Sequence, residues 1–158
     1  SQRPTPPSEP TIRRVLQRLD ADRLDVQIGT WLAAQHPLAG RGLGVDGKTL
    51  RRGNDTHQPP PHLLSAILHQ EAIVLGQVAV EEKTNEIPKL PQLLDPLPIQ
   101  GAVVTADALH TQQATARYIV QNKGADYLFV VKDNHASLRE DIEALNLSAF
   151  PPSAHQPR

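Results

Sequence analysis

Two aspartates follow short apolar segments in a way that could support metal-assisted chemistry. Asp46 comes directly after Leu43-Gly-Val, and Asp107 comes directly after the apolar residues 102–106. If these segments are neighbouring parallel strands, roughly 4.8 Å apart, both carboxylates emerge at the same edge of the sheet. Such carboxylates can share Mg²⁺, and two such ions can stabilise the attacking and leaving oxygens of a phosphodiester. The alternative is that both aspartates only cap loops or helices, and the pattern alone slightly favours that alternative.

Basic residues lie near both aspartates in the sequence. Lys48, Arg51 and Arg52 follow Asp46, and Lys132 follows the last predicted strand. Beside a metal-bound phosphodiester, these side chains could hold a DNA backbone. The formal net charge is −1, but Lys and Arg outnumber Asp and Glu in residues 1–52 and are outnumbered afterwards. A basic front could therefore contact phosphates, although solvated helix faces and a basic loop explain the same pattern equally well.

One motif indicates a different chemistry. Residues 42–49, Gly-Leu-Gly-Val-Asp-Gly-Lys-Thr, match the nucleotide-binding P-loop pattern. A P-loop needs a strand before it and a helix directly after it, whereas here the apolar strand lies inside the motif and no helical pattern follows. A dinucleotide-binding interpretation of Gly40, Gly42 and Gly44 fails because no strand precedes them. A P-loop hydrolase is therefore the weakest of the function hypotheses.

Composition restricts the class of protein. The 158 residues suffice for one compact domain, whose core must be aliphatic because aromatic residues make up only 3%. The absence of cysteine excludes disulfide scaffolds, thiolate zinc sites and cysteine nucleophiles. Because there is neither an apolar run near 18 residues nor a signal-peptide core, we expect a cytoplasmic location and no membrane partner.

The predicted elements divide the chain into four parts. Polar, proline-rich tails are expected at 1–7 and 148–158. Helical spacing predicts a small helical unit at 8–40, with a second helix beginning at Asp20 or Asp22. We assign 41–147 to one α/β domain with a proline-rich loop at 51–61, and we expect Asn85, Thr111 and Asn134 to cap helices.

Within this domain, strands are predicted at 43–46, 62–69, 73–80, 102–106 and 127–131, and helices at 86–94, 111–123 and 135–145. Three strands with short connections, then strands alternating with helices, give the order βββαβαβα. This order predicts a mixed five-stranded sheet, antiparallel at the front and parallel at the back, as in the RNase H-like class, and many other α/β folds have a similar order.

Several ordered segments resemble one known family. They are residues 7–16 (PSEPTIRRVL), 45–51 (VDGKTLR), 62–66 (HLLSA), 83–88 (KTNEIP), 104–112 (VTADALHTQ), 123–128 (KGADYL) and 131–134 (VKDN). In these segments the chain resembles insertion-sequence transposases related to the H-repeat-associated proteins, which are DDE enzymes. The resemblance covers about residues 6–147.

The resemblance implies that Asp46 and Asp107 are the first two catalytic acids. It also implies Mg²⁺ or Mn²⁺ as cofactor and DNA, both transposon ends and target DNA, as partner. The implied reactions are hydrolysis at transposon ends and strand transfer by a 3′-hydroxyl. A homo-oligomer is left open.

Two departures from the family pattern change the expectation. The family usually has Lys-Gly-Asn-Gln where this chain has Lys132-Asp-Asn-His, so that Asp133 brings negative charge beside the expected phosphate path. The family's catalytic glutamate lies well beyond the last block, and Glu140, Asp141 and Glu143 come too early to match it. We therefore expect a truncated chain that is inactive alone. The alternative is a non-catalytic DNA-binding or regulatory remnant that uses the basic helices at 8–35.

Overall fold

The computed structural model describes residues 6–50, 60–80 and 86–145. Most of the predicted N-terminal tail, the whole predicted C-terminal tail and most of the predicted loop at 51–61 lie outside these residues. The proposed cap Asn85 and the proposed DNA contacts Arg51 and Arg52 also lie outside them.

Two helices open the described chain, as predicted. Helix α1 spans Glu9–Leu16 and helix α2 spans Ala21–Gln35. The side chain of Asp20 caps α2 by accepting a hydrogen bond from the Arg23 backbone N–H at 3.0 Å. Every residue of α1 is exposed, whereas α2 packs against the sheet and buries Gly29 and Ala33.

The five strands form one mixed sheet in the order β3-β2-β1-β4-β5. The pairs β1–β2 and β2–β3 are antiparallel, and the pairs β1–β4 and β4–β5 are parallel. This arrangement confirms the predicted RNase H-like order. The strands are β1 at Gly42–Thr49, β2 at His62–Leu68, β3 at Ile73–Val80, β4 at Val103–Ala106 and β5 at Asp126–Phe129.

Three further helices accompany the sheet: α3 at Glu86–Leu94, α4 at Gln113–Arg117 and α5 at Ala136–Glu143. The predicted continuous helix at 111–123 is wrong in two respects. It begins after Gln112, because the Thr111 hydroxyl donates to the Val130 carbonyl at 2.8 Å instead of capping the helix. Beyond α4 the chain widens into a π-helical segment, Tyr118–Asn122, before Gly124 turns it with φ of 61°.

The core lies on one face of the sheet and is aliphatic. In β1, Leu43 and Val45 are buried while Asp46 is exposed, which is the alternation of a strand with one covered face. Leu90 and Leu94 of α3 pack into the same cluster, which also includes Leu64, Ala66, Leu68, Leu75, Leu93, Leu97, Ile99, Val104 and Ile119. The predicted apolar stripe of α5, Leu138, Ile142 and Leu145, is exposed instead.

In residues 6–50, 60–80 and 86–145, no helix is both long enough and apolar enough to cross a bilayer.

The contact between α2 and β3 predicts a strong effect of Gly29→Ala. A Cβ at this position would collide with the backbone carbonyl of Leu75, which cannot move without distorting β3. We expect a loss of about 1–3 kcal/mol in the free energy of unfolding, measured by urea denaturation, although alanine normally favours helices. The exposed neighbour Gln27→Ala should change stability by less than about 0.5 kcal/mol. Equal stability of Gly29→Ala and the wild type would contradict this packing.

Candidate functional site

The two aspartates occupy equivalent positions of neighbouring parallel strands. In the β1–β4 ladder, Val45 lies opposite Ala106, so Asp46 and Asp107 are the next residues of each chain. Val45 and Ala106 are buried, whereas both aspartates are exposed. The two carboxylates therefore leave the sheet at the edge where the parallel pairing ends.

The prediction that Asp46 ends the first strand is wrong. Strand β1 continues to Thr49, because Gly47, Lys48 and Thr49 pair with β2. What ends at Val45 is the pairing of β1 with β4, since β4 stops at Ala106. Asp46 thus lies in the interior of a strand, at the point where that strand loses its parallel neighbour.

The surroundings of Asp46 lie on the face opposite the core. Together with Lys48 and Ser65, its side chain lines a depression over β1, β2 and β3 that also includes Leu50, Leu63, Ile67, Val74 and Gln77. Lys48 is exposed, so its ammonium group is available to a ligand that approaches this face. The structure therefore keeps Lys48 on the same side of the molecule as Asp46.

Asp107 is held by contacts from two directions. Its Oδ1 accepts a hydrogen bond from the Ala108 backbone N–H at 2.6 Å and another from Lys132 Nζ at 2.9 Å. The pKa of Asp107 lies below its ordinary value of 3.8, mainly because of the hydrogen bond from Lys132 and to a smaller extent because of the one from Ala108. The side chain is still 65% exposed. Asp107 is thus an accessible carboxylate that favours its ionised form.

The segment after β5 adjoins Asp107. The predicted capping role of Asn134 is wrong, because its Nδ2 donates to the Ala108 carbonyl at 3.1 Å and ties this segment to the turn after Asp107. Asp133, which departs from the family pattern, pairs with Arg139 of α5 at 2.7 Å. The negative charge of Asp133 therefore has a cationic partner of its own, while Lys132 contacts Asp107.

Sequence reasoning missed Glu86, the most buried acid among the described residues. It is 5% exposed at the first position of α3, where its Oε1 is 2.6 Å from His62 Nε2 and its Oε2 is 3.3 Å from His110 Nε2. His110 is buried within a 3₁₀ turn, Ala108–His110. The only signal in the sequence was that Glu86 and His110 both fall within segments that resemble the family.

The side chains at this edge suit a divalent metal ion in part. Two exposed carboxylates at one edge are the oxygen ligands that Mg²⁺ and Mn²⁺ prefer. In the described ranges, the His, Asp and Glu side chains form no group of three that could hold a metal ion. The two aspartates therefore fit part of a hard-cation site, and further ligands would have to complete it.

The ion pair at Asp107 predicts a pKa change in Lys132→Gln. Removing the ammonium should raise the pKa of Asp107 toward 3.8, measured by NMR titration of the carboxyl carbon. Because the folded-state pKa is lowered, the pair stabilises the folded chain at neutral pH, and that contribution is lost as the pH falls below 3.8. Arg139→Gln, which breaks the pair with Asp133, should leave Asp107 unchanged. An unshifted Asp107 in Lys132→Gln would show that the ion pair does not form.

Solved structures with a similar arrangement include two transposases. The piggyBac transposase synaptic complex with hairpin DNA has a TM-score of 0.48 and 14% identity, over 88% of this chain and 34% of that chain. The catalytic domain of Mos1 mariner transposase has a TM-score of 0.43 and 15% identity, over 91% of this chain and 77% of that chain. Neither likeness is close enough to assign a function.

Relatives that are closer in sequence come from Escherichia coli (strain K12). The chain is 34% identical over 140 residues to "Putative transposase YncI", covering 87% of this chain and 56% of that protein. It is also 34% identical over 140 residues to "H repeat-associated putative transposase YhhI", covering 87% of this chain and 37% of that protein. The chain thus spans about a third to a half of the length of these relatives.

A family model described as "Transposase DDE domain" matches residues 38–156, which is most of the chain and includes all five strands. The match agrees with the resemblance noted in the sequence and with the mixed sheet observed here. This chain belongs to the transposase DDE domain family.

Proposed function

We propose that Asp46 and Asp107 are the first two metal-binding acids of a DDE transposase that cleaves and joins DNA. The observation that carries this proposal is the β1–β4 register, which brings two exposed carboxylates to equivalent positions of adjacent parallel strands. The proposed cofactor is Mg²⁺ or Mn²⁺. When bound, such ions stabilise the negative charge on the attacking and leaving oxygens of a phosphodiester.

The residues around the two acids have complementary roles in this proposal. The Ala108 backbone N–H fixes one oxygen of Asp107, so that its carboxylate is oriented before a ligand arrives. Lys132 and Lys48 are exposed cations near the two acids, and we assign them to the DNA phosphates. Arg51 and Arg52 remain predicted phosphate contacts. A third carboxylate must come from outside the described residues.

A second candidate function is DNA binding without catalysis. It is favoured by helix α1, whose residues are all exposed and which carries Arg13, Arg14 and Arg18 on or beside it. Arg14 and Arg18 are the candidates for phosphate contacts, and Arg13 pairs with Glu9. If α1 supplies the DNA affinity, replacing Arg14 and Arg18 by glutamine weakens DNA binding while substitutions at Asp46 do not.

The catalytic proposal predicts metal-dependent cleavage by the full-length protein. DNA carrying the terminal repeats of its own element should be nicked only with Mg²⁺ or Mn²⁺, and Asp46→Asn or Asp107→Asn should lower the rate by roughly a thousandfold or more. The matched control is Asp126→Asn, an exposed acid at the start of β5 and hence at the opposite edge of the sheet, which should keep full activity. Retained cleavage by Asp107→Asn would contradict the assignment of that residue.

The proposed phosphate contacts predict a change in the salt dependence of DNA binding. In gel shifts over a salt series, Lys48→Gln and Lys132→Gln should each make the negative slope of log K against log salt shallower by about one. Lys89→Gln on α3, whose side chain contacts Gln92, is the matched control and should keep the wild-type slope. Absence of any DNA affinity at low salt would contradict both the catalytic and the non-catalytic hypothesis.

A further inference from the structure

A buried polar cluster lies beneath the edge that carries the two aspartates. Its members are Glu86, His62 and His110, and the exposed residue Thr49 adjoins it. The Glu86 carboxylate uses one oxygen for His62 at 2.6 Å and the other for His110 at 3.3 Å. On its far side, His62 Nδ1 is 2.9 Å from the Thr49 hydroxyl. Glu86, His62 and His110 are 5%, 6% and 2% exposed, so solvent contributes little to their contacts.

Burying this cluster costs free energy that its contacts must offset. Moving a carboxylate out of water is costly unless both of its oxygens find hydrogen-bond donors, and an apolar side chain of similar volume would avoid that cost. Glu86 meets this requirement only because two histidines from different elements converge on it: His62 begins β2, and His110 ends the turn that follows β4. The cluster therefore links three separate parts of the chain.

One contact of Glu86 reaches the strand that carries Asp46. Gly47, the next residue, packs so closely against the carboxylate that a Cβ there would lie 2.5–2.8 Å from the Glu86 carboxylate atoms. Two residues further on, Thr49 is held by His62. The strand on the C-terminal side of Asp46 therefore contacts Glu86 directly at Gly47 and indirectly, through His62, at Thr49.

The other contact of Glu86 reaches the turn that carries Asp107. The Asp107 side chain caps this 3₁₀ turn. The backbone carbonyl of Asp107 also accepts a hydrogen bond from the His110 backbone N–H at 2.9 Å. Because the His110 side chain is anchored on Glu86, the position of the turn depends on that carboxylate. Glu86 thus contacts the backbone after one aspartate and the turn after the other.

We propose that Glu86 is a positioning residue that sets the separation of Asp46 and Asp107 by bridging His62 and His110. The purpose of this bridge rests on the proposed function, in which the two aspartates share a metal ion. Because Glu86, His62 and His110 are buried, we assign them no direct contact with the metal or the DNA. Its effect is on the affinity of the aspartate pair for a metal, through the positions of the two backbones.

The hydrogen-bond partners determine how the bridge can respond to substitution. A carboxylate only accepts, so in their neutral forms both histidines carry the proton on Nε2. Glutamine at position 86 has one accepting oxygen and one donating amide, so one histidine must move its proton to Nδ1. His62 can do so because the Thr49 oxygen accepts, whereas His110 Nδ1 is buried without a partner in the part of the chain described here.

Two separate measurements test the bridge: the tautomers of His62 and His110, and the affinity of the protein for Mn²⁺ in the absence of DNA. Ring-nitrogen NMR at about pH 8.5, above the ordinary histidine pKa, should show His62 changing to the Nδ1–H tautomer in Glu86→Gln while His110 keeps its proton on Nε2. Mn²⁺ titrations followed by electron paramagnetic resonance should show affinity roughly tenfold weaker in Glu86→Leu and in His110→Leu. Glu86→Gln should stay within about threefold of the wild type, because it still bridges both rings.

Controls separate this proposal from the proposed function. Glu71→Gln removes an equal charge from a partly exposed pair with Arg41 and should leave the affinity for Mn²⁺ unchanged. If Asp107→Asn binds Mn²⁺ as tightly as the wild type, the proposed metal site is contradicted. If Asp107→Asn weakens binding but Glu86→Leu and His110→Leu do not, only the positioning role is contradicted. If Glu86→Leu does not fold, His110→Leu still tests the link, and an unchanged His62 tautomer in Glu86→Gln shows that the bridge is absent.

Discussion

The parallel pairing of β1 with β4 is the constraint on which the candidate site depends. Residues at the same level of two adjacent parallel strands are held about 4.8 Å apart by the backbone hydrogen bonds between them. Asp46 and Asp107 follow directly on the last such pair, Val45 and Ala106. A shift of one residue in this register would turn one of the two acids toward the core. The buried residues of β1 and β4 therefore fix the register that makes the carboxylates neighbours.

The aliphatic core and the polar cluster act on this register in different ways. Burial of Leu43, Val45 and Val104 favours the observed pairing but does not define how the chain leaves each strand. The directional contacts of Glu86 act at those exits, on the backbone after Asp46 and on the turn after Asp107. Lys132 and Asn134 add contacts to the same turn from the segment after β5. The buried carboxylate of Glu86 and the surface segment with Lys132 and Asn134 thus both hold the backbone around the site.

Much of the fold could be predicted from the sequence, because its apolar patterns are local. Strand β3 and helix α3 have the predicted bounds, and the strand order followed from the lengths of the connections. The full length of β1 could not be predicted, because Gly47 to Thr49 are held in a strand only by pairing with β2. Thr111 has the side chain of a helix cap, but its hydroxyl bonds Val130, which is distant in sequence.

The candidate site, like the fold, could be predicted from the sequence only where the pattern is local. Asp46 and Asp107 were found because an acid after an apolar strand is a local pattern, while Glu86 was not, because its role exists only where His62 and His110 converge.

Whether the two aspartates share one ion can be measured by anomalous diffraction from crystals grown with Mn²⁺. We expect one ion about 2.1 Å from a carboxylate oxygen of Asp46 and of Asp107. Carboxylates at opposite edges of the sheet, or too far apart for one ion to contact both, would contradict it.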